Sequence, residues 1–459
     1  MNLSQINNVY FVGIGGIGMS ALARYFHNKG AWVYGYDRVQ TDLTRALESL
    51  GLKVSYADEI GSIPKDFLDA DPKKSLVIYT PAIPQTNSIK GYLTSIGFTV
   101  IKRSEALEII TRGSKTIAVA GTHGKTTTSA LIAHVLKTAG VPINAFLGGI
   151  TTNYNTNCIL DDEAEFTVVE ADEYDRSFLR LSPDISVITS VDPDHLDIYN
   201  SSDSVASAFE EFALKLKKEG ALITANDIAF KSVASKMSYG IHSENAELRA
   251  LNIRVEDGKF QYDVFLKDMK LGAVESSYPG LHNIENALAA VAVGLILSLD
   301  WSIIQKALES FKGVKRRFEY HINNENRVYI DDYAHHPSEI DACVGSVKQL
   351  YPNSRITGVF QPHLYSRTRD FADDFAHSLE SLHELLLMEI YPAREEPIED
   401  VSSSMLLDKI RMVNKKLCER EDVIDEVLRL DPEVLLTLGA GDIDKLVTPL
   451  KNALNKKDE

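Results

Sequence analysis

The stretch Ala118–Leu136, "AVAGTHGKTTTSALIAHVL", decides how the rest of the chain is read. A short apolar run meets Gly121, then Gly124-Lys125-Thr126, then a helical sequence that Gly140 closes. Strand, tight glycine loop and helix in that order make a phosphate cradle. Gly121 and Gly124 let backbone N–H groups approach phosphate oxygens, and the helix N-terminus favours the anion. Lys125 brings a point charge for terminal phosphates, and the Thr126 hydroxyl is of the kind that ligates Mg2+. The full G-x-x-x-x-G-K-[ST] pattern is not met, because position 119 is Val. The competing reading is an ordinary strand-to-helix turn with an incidental lysine.

Mg2+ takes oxygen ligands. Two acidic clusters follow two further apolar runs downstream of the loop. "FTVVEADEYD" (166–175) offers Glu170, Asp172 and Glu173, and "ISVITSVDPDHLDIY" (185–199) offers Asp192, Asp194, His195 and Asp197. Either alone reads as a solvated loop; both behind a phosphate loop read as a metal site.

A second glycine turn lies in "YFVGIGGIGMSALARYF" (10–26). Gly13, Gly15 and Gly18 fit G-x-G-x-x-G, and Asp37 follows nineteen residues after the last. Taken alone this is a dinucleotide fingerprint and suggests hydride transfer. The second phosphate loop and the acidic clusters have no part in such chemistry. The turn suits the diphosphate of a sugar nucleotide equally well.

Around these loops the chain alternates apolar strands with helices, the rhythm of parallel sheets with crossover helices. A second unit starts near Ser114, and a third boundary falls in "GVKRRFEYH" (313–321). The third unit begins with "RVYIDDYAHHP" and continues through "RITGVFQPH", "ELLLMEIYPA" and "EVLLTLGAGDID". In open α/β sheets ligands sit beyond the carboxyl ends of strands, where each chemically loaded tail falls. Residues 226–277 read as β-rich, and "ALAAVAVGLILSL" (287–299) reads as a buried helix too short to span a bilayer.

Composition bounds the rest. The 459 residues are 44% hydrophobic and 25% charged, and the net charge of −17 argues against a nucleic-acid partner. Cys158, Cys343 and Cys418 have neither disulfide nor zinc spacing. The N-terminus shows no secretory signal. A cytoplasmic protein without a membrane partner is expected.

The motifs together resemble the Mur ligase family. "GIGGIGMSALA", "GTHGKTTT", "EADEYDRSFL", "DPDHLDIY", "LHNIENALAA", "RRFE", "DDYAHHPSEI", "FQPHLYSRT" and "TLGAGDID" carry the resemblance along the whole chain. "GIGGIGMS", "DDYAHHP" and "FQPHLYSRT" narrow it to the alanine-adding member. The resemblance implies an α/β protein of three domains. These are an N-terminal Rossmann-like domain binding the UDP-substrate (1–110), a central P-loop-type ATPase domain with a mostly parallel sheet (111–315), and a C-terminal Rossmann-like ligase domain (316–459). It implies ATP-dependent addition of L-alanine to UDP-N-acetylmuramate through an acyl phosphate, in peptidoglycan synthesis, by a monomer or weak homodimer. A sibling that adds a preformed peptide or another amino acid to the same sugar nucleotide is the alternative.

The resemblance also implies residue roles. Gly13, Gly15, Gly16, Ile17, Gly18, Asp37, Thr80 and Ala82 would hold the UDP-substrate. Gly121, Thr122, His123, Gly124, Lys125, Thr126, Thr127, Asn283, Asn286 and Asp332 would hold ATP. Thr126 and Glu170 would hold one Mg2+, and Glu170 and His195 a second. Lys125, His335 and Arg367 would be catalytic. His335 is placed at the alanine carboxylate or the reacting centre, and Arg367 at a carboxylate it binds bidentately. Read without the family, His282 or Asn283 is an N-cap of its helix. Arg316 or Arg317 serves phosphates or a hinge salt bridge. Leu364 stands where many relatives carry a basic residue.

Overall fold

The computed structural model describes residues 3–174, 176–192, 199, 201–241, 243–393 and 395–458, without the side chains of residues 4 and 202. By packing, the chain divides into two compact units. The first runs to Arg249 and adds Phe265–Gly272 and Asn286–Leu308; the second takes Ala250–Val264, Ala273–Glu285 and the chain from Glu309 on.

The first unit opens with a five-stranded parallel sheet. Its strands are β1 (Asn8–Val12), β2 (Trp32–Tyr36), β3 (Lys53–Ser55), β4 (Ser75–Tyr79) and β5 (Thr99–Lys102), in the order β3-β2-β1-β4-β5. Strand order reverses at β1 and β4, so the crevice at their carboxyl ends is the expected ligand position. Gly13–Gly16 follow β1 there, and Thr80 follows β4. A parallel sheet needs cover on both faces. Val9, Phe11, Leu76 and Ile78 pack on one side, and Tyr10, Val12 and Val77 on the other.

The second sheet holds β6 (Lys115–Ala120), β7 (Ile143–Thr151), β8 (Thr156–Ile159), β9 (Phe166–Glu170), β10 (Ile185–Ile188), β11 (Ala221–Ala225) and β12 (Met237–Ile241). These run in the order β12-β11-β10-β6-β9-β7-β8, parallel except for β8, which pairs antiparallel with β7. The strands β13 (Leu248–Glu256), β14 (Lys259–Leu266) and β15 (Met269–Ser276) complete its ten, matching the β-rich expectation for 226–277. One apolar cluster runs through both sheets of the first unit, from Ile6, Phe11 and Leu22 to Phe146, Val169, Phe178 and Phe209.

The second unit carries the six-stranded sheet β16 (Glu319–Asn323), β17 (Val328–Asp332), β18 (Ile356–Phe360), β19 (Glu384–Leu387), β20 (Lys415–Leu417) and β21 (Val434–Leu438), in the order β16-β17-β21-β18-β19-β20. Only β16 is antiparallel to its neighbour. β17, β18, β19 and β21 are buried along their whole length, as strands covered on both faces must be. The apolar run 287–299 largely forms the helix Leu281–Ile296, with Ala287 through Val293 all buried. No helix among the described residues is long and apolar enough to cross a membrane.

Strand ends differ from the sequence reading by a few residues. "VYFVGIG" gives a strand only as far as Val12, because Gly13 at φ +89 turns the chain. β3, β5 and the β7–β8 hairpin carry weaker period signals and were not separately expected from the sequence.

Candidate active site

The glycine loop after β6 is built by its neighbours on both sides. From β10, the Thr189 hydroxyl donates to Ala120 O at 3.2 Å and to His123 O, and Ser190 Oγ accepts from His123 N at 2.8 Å. Thr122 N donates to Ser190 O at 3.2 Å, and Thr122 Oγ1 to Asp192 O at 3.0 Å. Gly124 begins the helix Lys125–Thr138 at φ +80, a backbone state that favours glycine. A Cβ on Gly124 would lie 2.5 Å from Asn286 Oδ1, which also accepts from Thr128 Oγ1 at 3.0 Å. Asn286 therefore sits against the loop. Thr127 is buried in the first helical turn.

The acids after β9 separate by partner. Glu170 Oε2 accepts from Thr126 Oγ1 at 2.9 Å and from Gly148 N at 3.0 Å. A Cβ on Gly148 would come within 2.1 Å of that same oxygen. Asp172 pairs with Arg103 at 3.3 Å. Glu173, 1% exposed, pairs with Lys125 Nζ at 2.9 Å. Lys125 also donates to Gly121 O at 2.6 Å and Thr122 O at 3.2 Å. Burial alone would pull the Lys125 ammonium down, but Glu173, Glu170 and Asp172 outweigh it and raise its pKa. Burial pushes Glu173 up to about 7 against the pull of Lys125. Thr126 and Glu170 present hard oxygen donors beside one another, which fits Mg2+. Asp194, His195 and Asp197 lie outside the described residues.

At the first glycine turn, Gly15 N donates to Asp37 Oδ2 at 2.7 Å and Val39 N to Asp37 Oδ1 at 3.2 Å. Asp37 thus pins the turn. Thr80 abuts Gly13, where a Cβ would meet its Cγ2 at 2.6 Å, and Ala82 is exposed on the loop beyond. Gly16 is the N-cap of the helix Ile17–Asn28, which no side chain caps and whose first turn holds no acid.

In the second unit, the carboxyl ends of β17 and β18 bring together a histidine-rich site. His335 Nδ1 lies 2.9 Å from Tyr333 O and 3.2 Å from Glu339 Oε2, which also accepts from His335 N at 3.0 Å. The carbonyl accepts from Nδ1–H, leaving Nε2 as the basic atom. Burial holds His335 down at about 4, against the pull of Glu339, so its imidazole is neutral near pH 7. Its ring packs edge-on to Tyr333 and His363, and His363 stacks on Tyr391. Arg367 is buried in the helix Tyr365–Asp370, and its charge also weighs on His335. That helix starts after Leu364 at φ +73, a rare state for a residue with a Cβ.

Asp332 Oδ2 accepts from Phe318 N and Oδ1 from Ala334 N, each at 2.7 Å, and burial raises its pKa to about 6. Asn283 Nδ2 donates to Pro279 O at 2.5 Å. The two arginines of "RRFE" have different partners. Arg316 bonds Asp331 at 3.0 Å and Gly439 O at 2.7 Å, a structural tie. Arg317 lies over the Tyr333 ring and 3.7 Å from Glu339, beside His335. Glu319, His321 and Asp331 stand close enough to share a metal, but Arg316 already engages both acids, Asp331 through its guanidinium and Glu319 through its backbone N–H.

Sequence reasoning did not single out Gly148, Glu339 or Arg103. Glu339 had a signal: Pro337 and Glu339 mark a helix start, and its carboxylate takes up the N–H of His335 and of His336.

The family profile described as Mur ligase family, catalytic domain, matches residues 8–115; that of the Mur ligase middle domain matches 119–294; and that of the Mur ligase glutamate ligase domain matches 316–441. The UDP-N-acetylmuramate–L-alanine ligase of Flavobacterium johnsoniae is 46% identical over 99% of this chain and 100% of its own. The chain belongs to the Mur ligase family. A second such Mur ligase, from Parabacteroides distasonis, is 45% identical over 100% of this chain and 99% of its own. Among solved Mur ligases, the UDP-N-acetylmuramate–alanine ligase of Thermotoga maritima superimposes with a TM-score of 0.84 at 27% identity, covering 98% of this chain and 99% of that one. The three sheets are the three-domain architecture of a Mur ligase.

Proposed function

We propose that this chain joins L-alanine to UDP-N-acetylmuramate with ATP, in peptidoglycan synthesis in the cytoplasm. The observation that carries the reading is the Gly-Lys-Thr loop with Thr126 and Glu170 in contact, in a chain that two curated alanine ligases match end to end.

The chemistry runs in two steps. The lactyl carboxylate attacks the γ-phosphorus, the bond to the bridging oxygen breaks, and ADP leaves. The amine of L-alanine then attacks the acyl carbon, the acyl–phosphate bond breaks, and inorganic phosphate leaves with one amine proton lost. The loop N–H groups hold the β- and γ-phosphates, and Lys125 exchanges Glu173 for them. Thr126 and Glu170 would hold Mg2+, which neutralises charge between carboxylate and triphosphate. Arg367 orients a carboxylate bidentately. His335 Nε2 accepts a hydrogen bond from the attacking amine, and because burial holds its pKa at about 4 the proton passes on to the leaving phosphate or to water. Asn283, Asn286 and Asp332 serve the nucleotide, and Gly13–Gly18, Asp37, Thr80 and Ala82 the UDP moiety.

The test is phosphate release with UDP-N-acetylmuramate, ATP, Mg2+ and each amino acid in turn. L-Alanine is expected to dominate. Equal release with D-glutamate or a tripeptide would assign the chain to a sibling activity.

A further inference from the structure

The first glycine turn, Gly13–Gly18, offers a diphosphate backbone donors but carries no Lys or Arg of its own. Asp37 adds a negative charge at Gly15. The cation comes from a different element. Arg103 opens the helix Arg103–Thr111, after β5, and lies directly on the first turn of helix Ile17–Asn28. A Cβ on Gly18 would stand 2.5 Å from its Nη1, so the glycine makes room for the guanidinium.

Asp172 holds Arg103 there at 3.3 Å, with the two side chains 30% and 40% exposed. An ion pair so open to water is weak and releases readily. A cavity of about 150 Å³ adjoins the pair, with Gly18, Arg103, Glu170 and Asp172 among its lining. Among the described residues, Arg103 is the one cation that lines it. The turn itself is anchored to the second sheet: Asn157 Nδ2 donates to Ile17 O at 2.6 Å and to Ser20 Oγ at 3.0 Å. Arg103 lies between this anchored turn and the strand that ends in Glu170.

We propose that Arg103 binds the diphosphate of the UDP-sugar and that Asp172 holds it in readiness until the diphosphate takes it over. This rests on the proposed function. Planar guanidinium donors match phosphate oxygens in pairs, which gives the site the cation the turn lacks.

Calorimetric titration with UDP tests it, because UDP carries the diphosphate without the lactyl carboxylate. Arg103→Gln is expected to weaken UDP binding by about tenfold or more, with ATP binding retained. Arg103→Lys should recover part of the loss. Asp172→Asn should leave UDP binding as tight or tighter. UDP binding by Arg103→Gln equal to that of the unmodified protein overturns the assignment. Should that variant fail to fold, weaker UDP binding by Asp172→Asn overturns it instead. An unmodified protein that binds ATP but no UDP overturns the proposed function, and this assignment with it.

Discussion

Lys125 folds back into its own loop, on two carbonyls and a buried carboxylate. Its charge is maintained by those partners, so removing it leaves Glu173 buried without its cation. Lys125→Ala should lower ATP-dependent ligation by at least about 100-fold, the scale seen when one charge-stabilising group is lost. UDP binding, measured by calorimetry, should stay near normal; a variant that still ligates at the native rate would refute the mechanism. Lys125 and Thr126 were legible in the sequence because Gly-Lys-Thr after an apolar strand has a local meaning. Glu173 was visible only as one of several acids. Which acid meets the lysine, which the Thr126 hydroxyl and which Arg103 depends on distances across strands that no spacing encodes. Arg316 and Arg317 show the same limit: adjacent in sequence, one ties the sheet and the other joins the histidine site.

At the scale of elements, sheet order assembles the loop. β10 and β9 flank β6, so hydroxyls from one side and a carboxylate from the other reach the same turn. Alternating apolar and helical stretches foretold strands and helices, and their loaded ends foretold a site. The order in which the strands pair had no local signature. Gly148 on β7 is the clearest case. Its missing side chain leaves room for Glu170, 22 residues further along the chain. Gly148→Ala should displace the carboxylate and raise the Mg2+ concentration needed for half-maximal ligation by roughly tenfold, as for loss of a second-sphere contact. The thermal midpoint without ligand should move little. An unchanged Mg2+ requirement would show that Glu170 is held by Thr126 alone.

For the whole molecule, stability depends on groups far from the chemistry. His134 is buried against Tyr154 Oη, at 2.6 Å, and burial lowers its pKa to about 4. Between pH 6.5 and 4 the unfolded chain takes up this proton and the folded chain does not, so the stability from keeping it neutral is lost as pH falls. His134→Asn should flatten the pH dependence of unfolding free energy across that window by up to about 1.4 kcal/mol per pH unit. Denaturant titrations at several pH values check this, and an unaltered slope would exclude His134 as the source. Length and alternation were enough to anticipate three α/β sheets; that the first two share one apolar cluster was not, since cores are shared by packing rather than by sequence order. That shared cluster packs the two sheets into one compact unit. Mass action on one is then felt by the other: a sugar nucleotide bound only at the first glycine turn also lowers the fraction of molecules in which the second sheet has come apart, by the factor 1 + [L]/Kd.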